Sequence, residues 1–116
     1  MLSSFAQRTE VLRGAGAGPR IVGSVVRFAS LAQAAFVGPA DVVVVRAATP
    51  ALAVFVGRCA ALVSETGGLL DHGAAMAREL GITCVVGCRD AWSTLADGMR
   101  VNVDGDAGTV TILDEK

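Results

Sequence analysis

The sequence has 116 residues, the size of one ordinary domain, and we expect a single domain over residues 1–116. Hydrophobic residues make up 53% of the chain and charged residues 18%, so it can bury a sizeable core. The formal net charge is −1, and the chain has one Trp and no Tyr, which excludes nucleic acid as a partner because both a positive field and a stacking surface are lacking.

The cysteine content and the absence of a long apolar run indicate the compartment. An odd set of three cysteines (Cys59, Cys84 and Cys88) suits reduced thiols in a cytosol better than a disulfide framework. The first residues lack the apolar stretch of a signal peptide, and no apolar run reaches the roughly 18 residues of a membrane span. The sequence therefore predicts a cytoplasmic protein with no membrane partner, and it leaves homo-oligomerisation open.

The chain begins with a glycine-rich segment. Residues 13–19 (RGAGAGP) have few packing side chains, and we predict a loop there. Its three glycines suggest a dinucleotide fingerprint, which we reject because Pro19 stands where another glycine is required and a strand follows in place of a helix. That strand is predicted over the β-branched run 21–28, and the Ala-rich run 30–36 is weakly helical.

Strands and helices then alternate. The run 41–47 (DVVVVRA) is typical of a strand covered on both faces. Thr49 and Pro50 predict the start of a helix over about 50–58, because Thr is a good cap and Pro is tolerated at the first helical position. The pattern continues with a strand, a helix and a strand, predicted over 61–64, 71–80 and 82–87.

Two alternating runs near the C-terminus, MRVNV (99–103) and TVTIL (109–113), flank a turn-forming loop and predict a β-hairpin. Strands that alternate with helices at this spacing indicate parallel pairing. We therefore predict an α/β fold whose mixed sheet has parallel pairings and a C-terminal β-hairpin.

The only histidine, His72, follows a Thr-Gly-Gly turn formed by Thr66, Gly67 and Gly68, and lies in the first turn of the predicted 71–80 helix. Unpaired amides and the helix dipole favour anions there. An imidazole in this place can take a phosphoryl group on one ring nitrogen, with amides near the two glycines solvating its oxygens. The alternative is that the glycines only form the turn and that His72 is a surface residue that helps to cap the helix.

Three segments carry ordered motifs: VVVVRAATP, ALVSETGGLLDHGAAMARELGITCVVG and LADGMRVNVDGDAGTV. Their most specific part is Gly67-Gly68 followed by His72, the run AREL and Gly81, and then VVG. In this combination the chain, from about Gly14 to Leu113, resembles the mobile domain of the phosphoenolpyruvate (PEP)-utilising enzymes. That family includes pyruvate phosphate dikinase, PEP synthase, enzyme I of the sugar phosphotransferase system and rifampicin phosphotransferase.

The resemblance implies a swivelling β/β/α domain whose histidine, here His72, is phosphorylated at one active site and moves to another. Arg46, Thr49 and Pro50 match the family's strand-end arginine and Thr-Pro element, which implies that they shape the turn facing the histidine loop. Without the resemblance, Thr49 and Pro50 form a helix cap and Arg46 is a surface charge. Besides the catalytic His72, the candidate phosphate-supporting residues are Thr66, Gly67, Gly68, Asp71, Arg46 and Thr49.

Asp71 and Leu70 depart from the family's pattern, in which Ser, Thr or Cys usually precedes the histidine and Thr often stands one place earlier. Asp71 could hold the imidazole and raise its basicity. It could instead repel an incoming phosphoryl group, since like charges 4 Å apart cost roughly 4 kcal/mol at an effective dielectric near 20. It could equally be a helix cap. The substitution bears on competence for phosphorylation and not on the fold.

No metal or other cofactor is expected in this chain. Cys84 and Cys88 with His72 have the ligand types of a zinc site, but alternation places both cysteines near a buried strand, where Cys packs as a small hydrophobe. The family resemblance implies an ATP-grasp protein, a PEP-binding barrel protein, or both, as partners, since neither fits in 116 residues. Such a partner could use Mg²⁺ with ATP or PEP.

Three functional hypotheses follow. In the first, the chain is a stand-alone phosphohistidine carrier of a split phosphotransferase, incomplete as an enzyme, that relays a phosphoryl group from PEP or ATP through His72 to a partner's active site. In the second, it is a non-catalytic binding or regulatory module that retains the swivelling fold, with Asp71 marking the lost chemistry. In the third, it is a product of gene fragmentation with no independent role.

Overall fold

A computed structural model describes residues 10–28, 37–46, 59–66, 79 and 81–113. Within these ranges a short helix, α1 (Ala91–Thr94), accompanies one eight-stranded sheet. The strands are β1 (Val11–Arg13), β2 (Ala15–Ala17), β3 (Arg20–Arg27), β4 (Asp41–Val45), β5 (Ala61–Ser64), β6 (Thr83–Val86), β7 (Arg100–Asp104) and β8 (Thr109–Ile112). No helix in the described ranges is long and apolar enough to cross a bilayer.

The sheet is mixed, and its strands lie in the order β1-β8-β7-β3-β4-β5-β6-β2. The four strands β3, β4, β5 and β6 run parallel, with Val43 of β4 opposite Leu62 of β5, and Leu62 opposite Cys84 of β6. The other pairings, β3–β7, β7–β8, β8–β1 and β6–β2, are antiparallel. The predicted mixed sheet with parallel pairings is confirmed.

The β-branched runs form the central strands close to their predicted bounds. β4 lies within the predicted 41–47, β5 coincides with 61–64, and β6 lies within 82–87. Valine, which all three strands contain, favours them because a branched side chain packs well on a pleated, buried surface. The helices predicted over 30–36 and 50–58 lie outside the described residues, and of the 71–80 helix only Glu79 is described, in a helical conformation.

Both faces of the central strands are buried, as the VVVV run of β4 predicts. Its residues alternate between two clusters: Val43 and Val45 pack on one face with Phe28 and Leu62. Residues from six strands and α1 meet in the cluster on the other face, so the sheet must curl around them. The fully or nearly fully buried members of that inner cluster are Val25, Val42, Val44, Ala61, Val63, Val85, Cys88, Ala91, Leu95, Val101, Val103 and Val110.

The loop predicted over residues 13–19 is wrong, because this segment contains part of β1 and all of β2. β1 pairs with β8 and β2 pairs with β6, which are opposite edges of the sheet. Only Gly14 separates β1 from β2, so the two edges meet within about 7 Å and the sheet closes on itself. The local sequence gives no strand pattern here, because these small residues pair through their backbones. The backbones approach so closely that a Cβ on Gly16 would lie 2.8 Å from the Cys84 carbonyl oxygen.

The turn between the consecutive antiparallel strands β7 and β8 completes this closure. It spans residues 105–108, where the amide of Gly108 donates to the Asp104 carbonyl (2.8 Å) and that of Ala107 to the Asp104 carboxylate (3.1 Å). The amide of Gly14 in turn donates to the Gly108 carbonyl at 2.8 Å. The turn and the junction between β1 and β2 are therefore fastened to each other.

Candidate functional site

The four parallel strands β3–β6 all have their carboxyl ends on one side of the sheet, and ligands bind at the carboxyl ends in sheets of this kind. We call this side the carboxyl edge, in contrast to the two outer strands that meet at Gly14. The residues at these ends are Arg27 on β3, Arg46 after β4, Glu65 and Thr66 after β5, and Gly87 after β6. α1 follows β6 and lies at this edge, because its Trp92 contacts both arginines. The chain that leaves the edge at Thr66 continues to Gly67, Gly68 and His72.

Thr66 is fixed to the sheet by four hydrogen bonds. Its amide and its hydroxyl both donate to the carbonyl oxygen of Arg46, at 3.1 and 3.0 Å. Its own carbonyl accepts from the amide of Gly87 at 3.2 Å and from the Ser64 hydroxyl at 2.8 Å. The histidine-bearing segment therefore starts from a point held by the ends of both neighbouring strands, although the Thr66 side chain is exposed.

Two guanidinium groups lie over the ring of Trp92. The Cζ atom of Arg27 is 4.6 Å from the ring centroid, and that of Arg46 is 4.9 Å from it. Both distances are within the range of a cation–π interaction. Arg46 is exposed and Arg27 half-buried, so the charge of Arg46 faces solvent at this edge.

Two carboxylates position these groups through the backbone. Glu65 accepts a hydrogen bond from the amide of Trp92 at 3.2 Å, which ties α1 to the end of β5. Asp97 accepts one from the amide of Arg27 at 2.6 Å and ties the segment after α1 to the end of β3. Trp92 is thus held between two strand ends.

The cysteines of this region are buried thiols. Burial, with a smaller contribution from the negative charge of Glu65, raises the pKa of Cys88 to about 11. Cys88 belongs to the inner cluster, whereas Cys84 packs with Val86 in a separate one. Among the described residues, no group of three His, Cys, Asp or Glu side chains could hold a metal ion.

Of the predicted site residues, the structure describes Arg46 and Thr66 and brings them into direct contact. His72, Gly67, Gly68, Asp71 and Thr49 lie outside the described residues. The sequence reasoning missed Arg27 and Trp92. The one signal for Trp92 was that it is the only Trp of the chain, at the end of a β-α unit.

Comparison with known proteins identifies the fold and the family. The family described as "PEP-utilising enzyme, mobile domain" matches residues 37–108. Among solved structures, Thermococcus kodakaraensis aconitase X (holo-form) superposes with a TM-score of 0.65 over 90% of this chain and 99% of that one, at 22% identity, which is a likeness of fold alone. A solution structure of Enzyme I superposes with a TM-score of 0.57 over 62% of this chain and 30% of that one, at 35% identity.

The curated relatives are much longer than this chain. A probable phosphoenolpyruvate synthase of Archaeoglobus fulgidus is 38% identical over 94% of this chain and 15% of its own length. A rifampicin phosphotransferase of a Streptomyces species is 43% identical over 63% of this chain and 8% of its own length. The chain thus spans a small part of the relatives that it matches. Because the family match covers more than half of its residues, the chain belongs to the family of PEP-utilising enzyme mobile domains.

Proposed function

We propose that this chain is a phosphohistidine carrier that relays a phosphoryl group from PEP or ATP through His72 to a second active site. The matched residues 37–108 include Gly67, Gly68 and His72, and relatives are named as a synthase and as a phosphotransferase. The donor and acceptor sites would lie outside residues 1–116, on an ATP-grasp protein, a PEP-binding barrel protein, or both, in the cytoplasm. Any Mg²⁺ would be bound there with ATP or PEP.

The observation that best supports a carrier role is the anchoring of Thr66. A carrier must present its histidine to two sites in turn, which requires a rigid body with the reactive side chain at one edge. Thr66 is held by the ends of β4, β5 and β6. His72 follows six residues later, so even a fully extended chain keeps it within about 20 Å of this anchor.

The transfer needs one neutral imidazole nitrogen. Its lone pair attacks phosphorus while the P–O bond to the donor breaks, and the donor oxygen leaves with the electron pair. The second transfer reverses these events toward the acceptor oxygen. Backbone amides near Gly67 and Gly68, and the side chains of Thr49 and Asp71, are the proposed supports of the phosphoryl group or the imidazole.

The closed sheet supports a swivelling motion of the whole domain. Its two edges meet at Gly14, and its central strands are buried on both faces. Such a body moves as a unit because packed cores deform little. In the proposed cycle the domain turns between donor and acceptor while the contacts around Thr66 persist.

The test is intact mass spectrometry at alkaline pH after incubation with host lysate and either PEP or ATP. We expect the parent protein to gain one acid-labile phosphoryl group from one of the two donors, and His72→Ala to gain none while keeping its fold by circular dichroism. An equal gain in His72→Ala would show that another residue is modified and would overturn the assignment.

A non-catalytic binding module is the second candidate, and Asp71 is the observation that favours it. The variant Asp71→Thr, which restores a hydroxyl before His72, separates the two. If a folded parent stays unmodified in a lysate that phosphorylates Asp71→Thr, the scaffold is intact and Asp71 has disabled the chemistry. If both are modified, Asp71 is compatible with transfer and the binding-module hypothesis is wrong.

A further inference from the structure

Arg27, Arg46 and Trp92 form a cluster at the ends of the parallel strands, which we call the arginine cluster. Its two guanidinium groups lie 4.6 and 4.9 Å from the same ring centroid. Their charges are therefore within about 10 Å of each other, comparable to the screening length at physiological salt. Two positive charges are thus concentrated at one end of the sheet.

Hydrogen bonds hold the backbone of each residue in the arginine cluster. The carbonyl of Arg46 accepts two hydrogen bonds from Thr66, and the amide of Trp92 donates to Glu65. The amide of Arg27 donates to Asp97. The backbones of all three residues are thus fixed by hydrogen bonds, and both guanidiniums stack on the ring of Trp92.

Two described carboxylates on this edge are engaged by backbone amides. Glu65 uses a carboxylate oxygen on the Trp92 amide, and Asp97 uses one on the Arg27 amide. The exposed guanidinium of Arg46 stacks on Trp92 but forms no ion pair with a described carboxylate. A fixed guanidinium that faces solvent presents several N–H donors in a planar fork, which suits the oxygens of a phosphate group.

We infer that the arginine cluster is a binding site for a phosphoryl dianion, and that its occupant in the working protein is the phosphoryl group carried on His72. This rests on the proposed carrier function. The segment that bears His72 starts at Thr66, which is hydrogen-bonded to Arg46, and six residues of chain are long enough for the carried group to reach the cluster. Arg27 and Arg46 bind the phosphoryl oxygens, and Trp92 is a positioning residue. Guanidinium groups held against the phosphoryl oxygens restrict the approach of water to phosphorus while the domain moves between active sites.

The unphosphorylated protein gives a direct test, because Trp92 is the only Trp and reports on its own surroundings. Inorganic phosphate is titrated at pH 8 while Trp92 emission is recorded, against sodium chloride at matched ionic strength. We expect saturable binding that is about tenfold weaker in Arg46→Gln, since a charge-assisted hydrogen bond is lost. Arg20→Gln is the matched control, because Arg20 is exposed at the opposite end of β3. Equal responses to phosphate and chloride, or equal affinity in Arg46→Gln and the parent, would overturn the inference.

The phosphorylated protein gives the second test. The half-life of the phosphohistidine is measured at neutral pH in the parent, Arg46→Gln, Arg27→Gln and Arg20→Gln. We expect it to shorten several-fold in the first two variants only, and to be kept by Trp92→Phe but not by Trp92→Leu, since only Phe retains an aromatic face for the guanidiniums. Unchanged half-lives in a protein that is phosphorylated would overturn the cluster's role and leave the carrier function standing. Phosphate binding in a protein that is never phosphorylated would overturn the carrier function, and with it the phosphoryl group of His72 as the occupant, and would leave the cluster only as a phosphate-binding site.

Discussion

Burial raises the pKa of the Cys59 and Cys88 thiols to about 11, against an unperturbed value of 9.0, and in both the loss of solvation is the main cause. Well below pH 9 the thiols are protonated in the folded and unfolded chain alike, so their contribution to stability is constant there. Between about pH 9 and 11 the unfolded chain releases protons that the folded chain keeps. The free energy of unfolding must therefore fall as the pH rises through this window.

Denaturant unfolding from pH 7 to 11 measures this effect. The chain has no Tyr, and Lys116 is its one lysine, so few other groups titrate in the same range. We expect the fall to be shallower in the double variant Cys59→Ala, Cys88→Ala, by up to one proton per thiol. An equally steep fall in that variant would show that other groups cause it.

At the site, the residues that could be predicted from sequence are those that adjoin strand ends. Arg46 lies near the end of the predicted strand 41–47, and Thr66 lies two residues beyond the predicted strand 61–64. Because the sequence predicts parallel pairing, both residues could be expected at the same end of the sheet. Arg27 and Trp92 are 65 positions apart, and they meet through a stacking contact that leaves no periodic signal. Long-range contacts of that kind require the fold first.

Among the elements, β4 and β5 were predictable from sequence, whereas β1 and β2, which flank Gly14, were not. The valine and leucine side chains of β4 and β5 give a strand pattern in the sequence. β1 and β2 form because they pair through the backbone with strands that are distant in sequence. Gly14 and Gly16 give no side chain for a pattern to detect. Their role is to let two backbones come close, which sequence periodicity cannot express.

Gly105 tests this close approach. A Cβ placed there would collide with the carbonyl group of Ala17, so Gly105→Ala must push the β7–β8 turn away from β2. We expect the free energy of unfolding to fall by about 1–3 kcal/mol, the usual cost of overpacking. Gly38→Ala is the control, because its added Cβ would lie 3.6 Å from the Asp41 carboxylate, an ordinary contact. Equal stability of the two variants in urea would contradict the packing argument.

Across the whole molecule, protection should decline from the centre of the sheet toward its closure. β4 and β5 are buried on both faces, whereas β1 is exposed or half-buried along its length. In hydrogen exchange followed by mass spectrometry, amides of residues 41–45 and 61–64 should exchange slowest, and those of 11–17 first among the strands. Equal protection of both groups would mean that the closure opens only when the whole domain unfolds.

The meeting of the two sheet edges at Gly14 also bears on how the domain is made. Val11 pairs with Thr111, so β1 is synthesised about 100 residues before its partner strand. β6 can receive β2 sooner, since Ala17 pairs with Cys84. On the ribosome, the parallel strands can assemble while β1 still lacks its partner. The β1–β8 pairing that closes the sheet is therefore a late event, because it requires residues 109–112 to have left the ribosome.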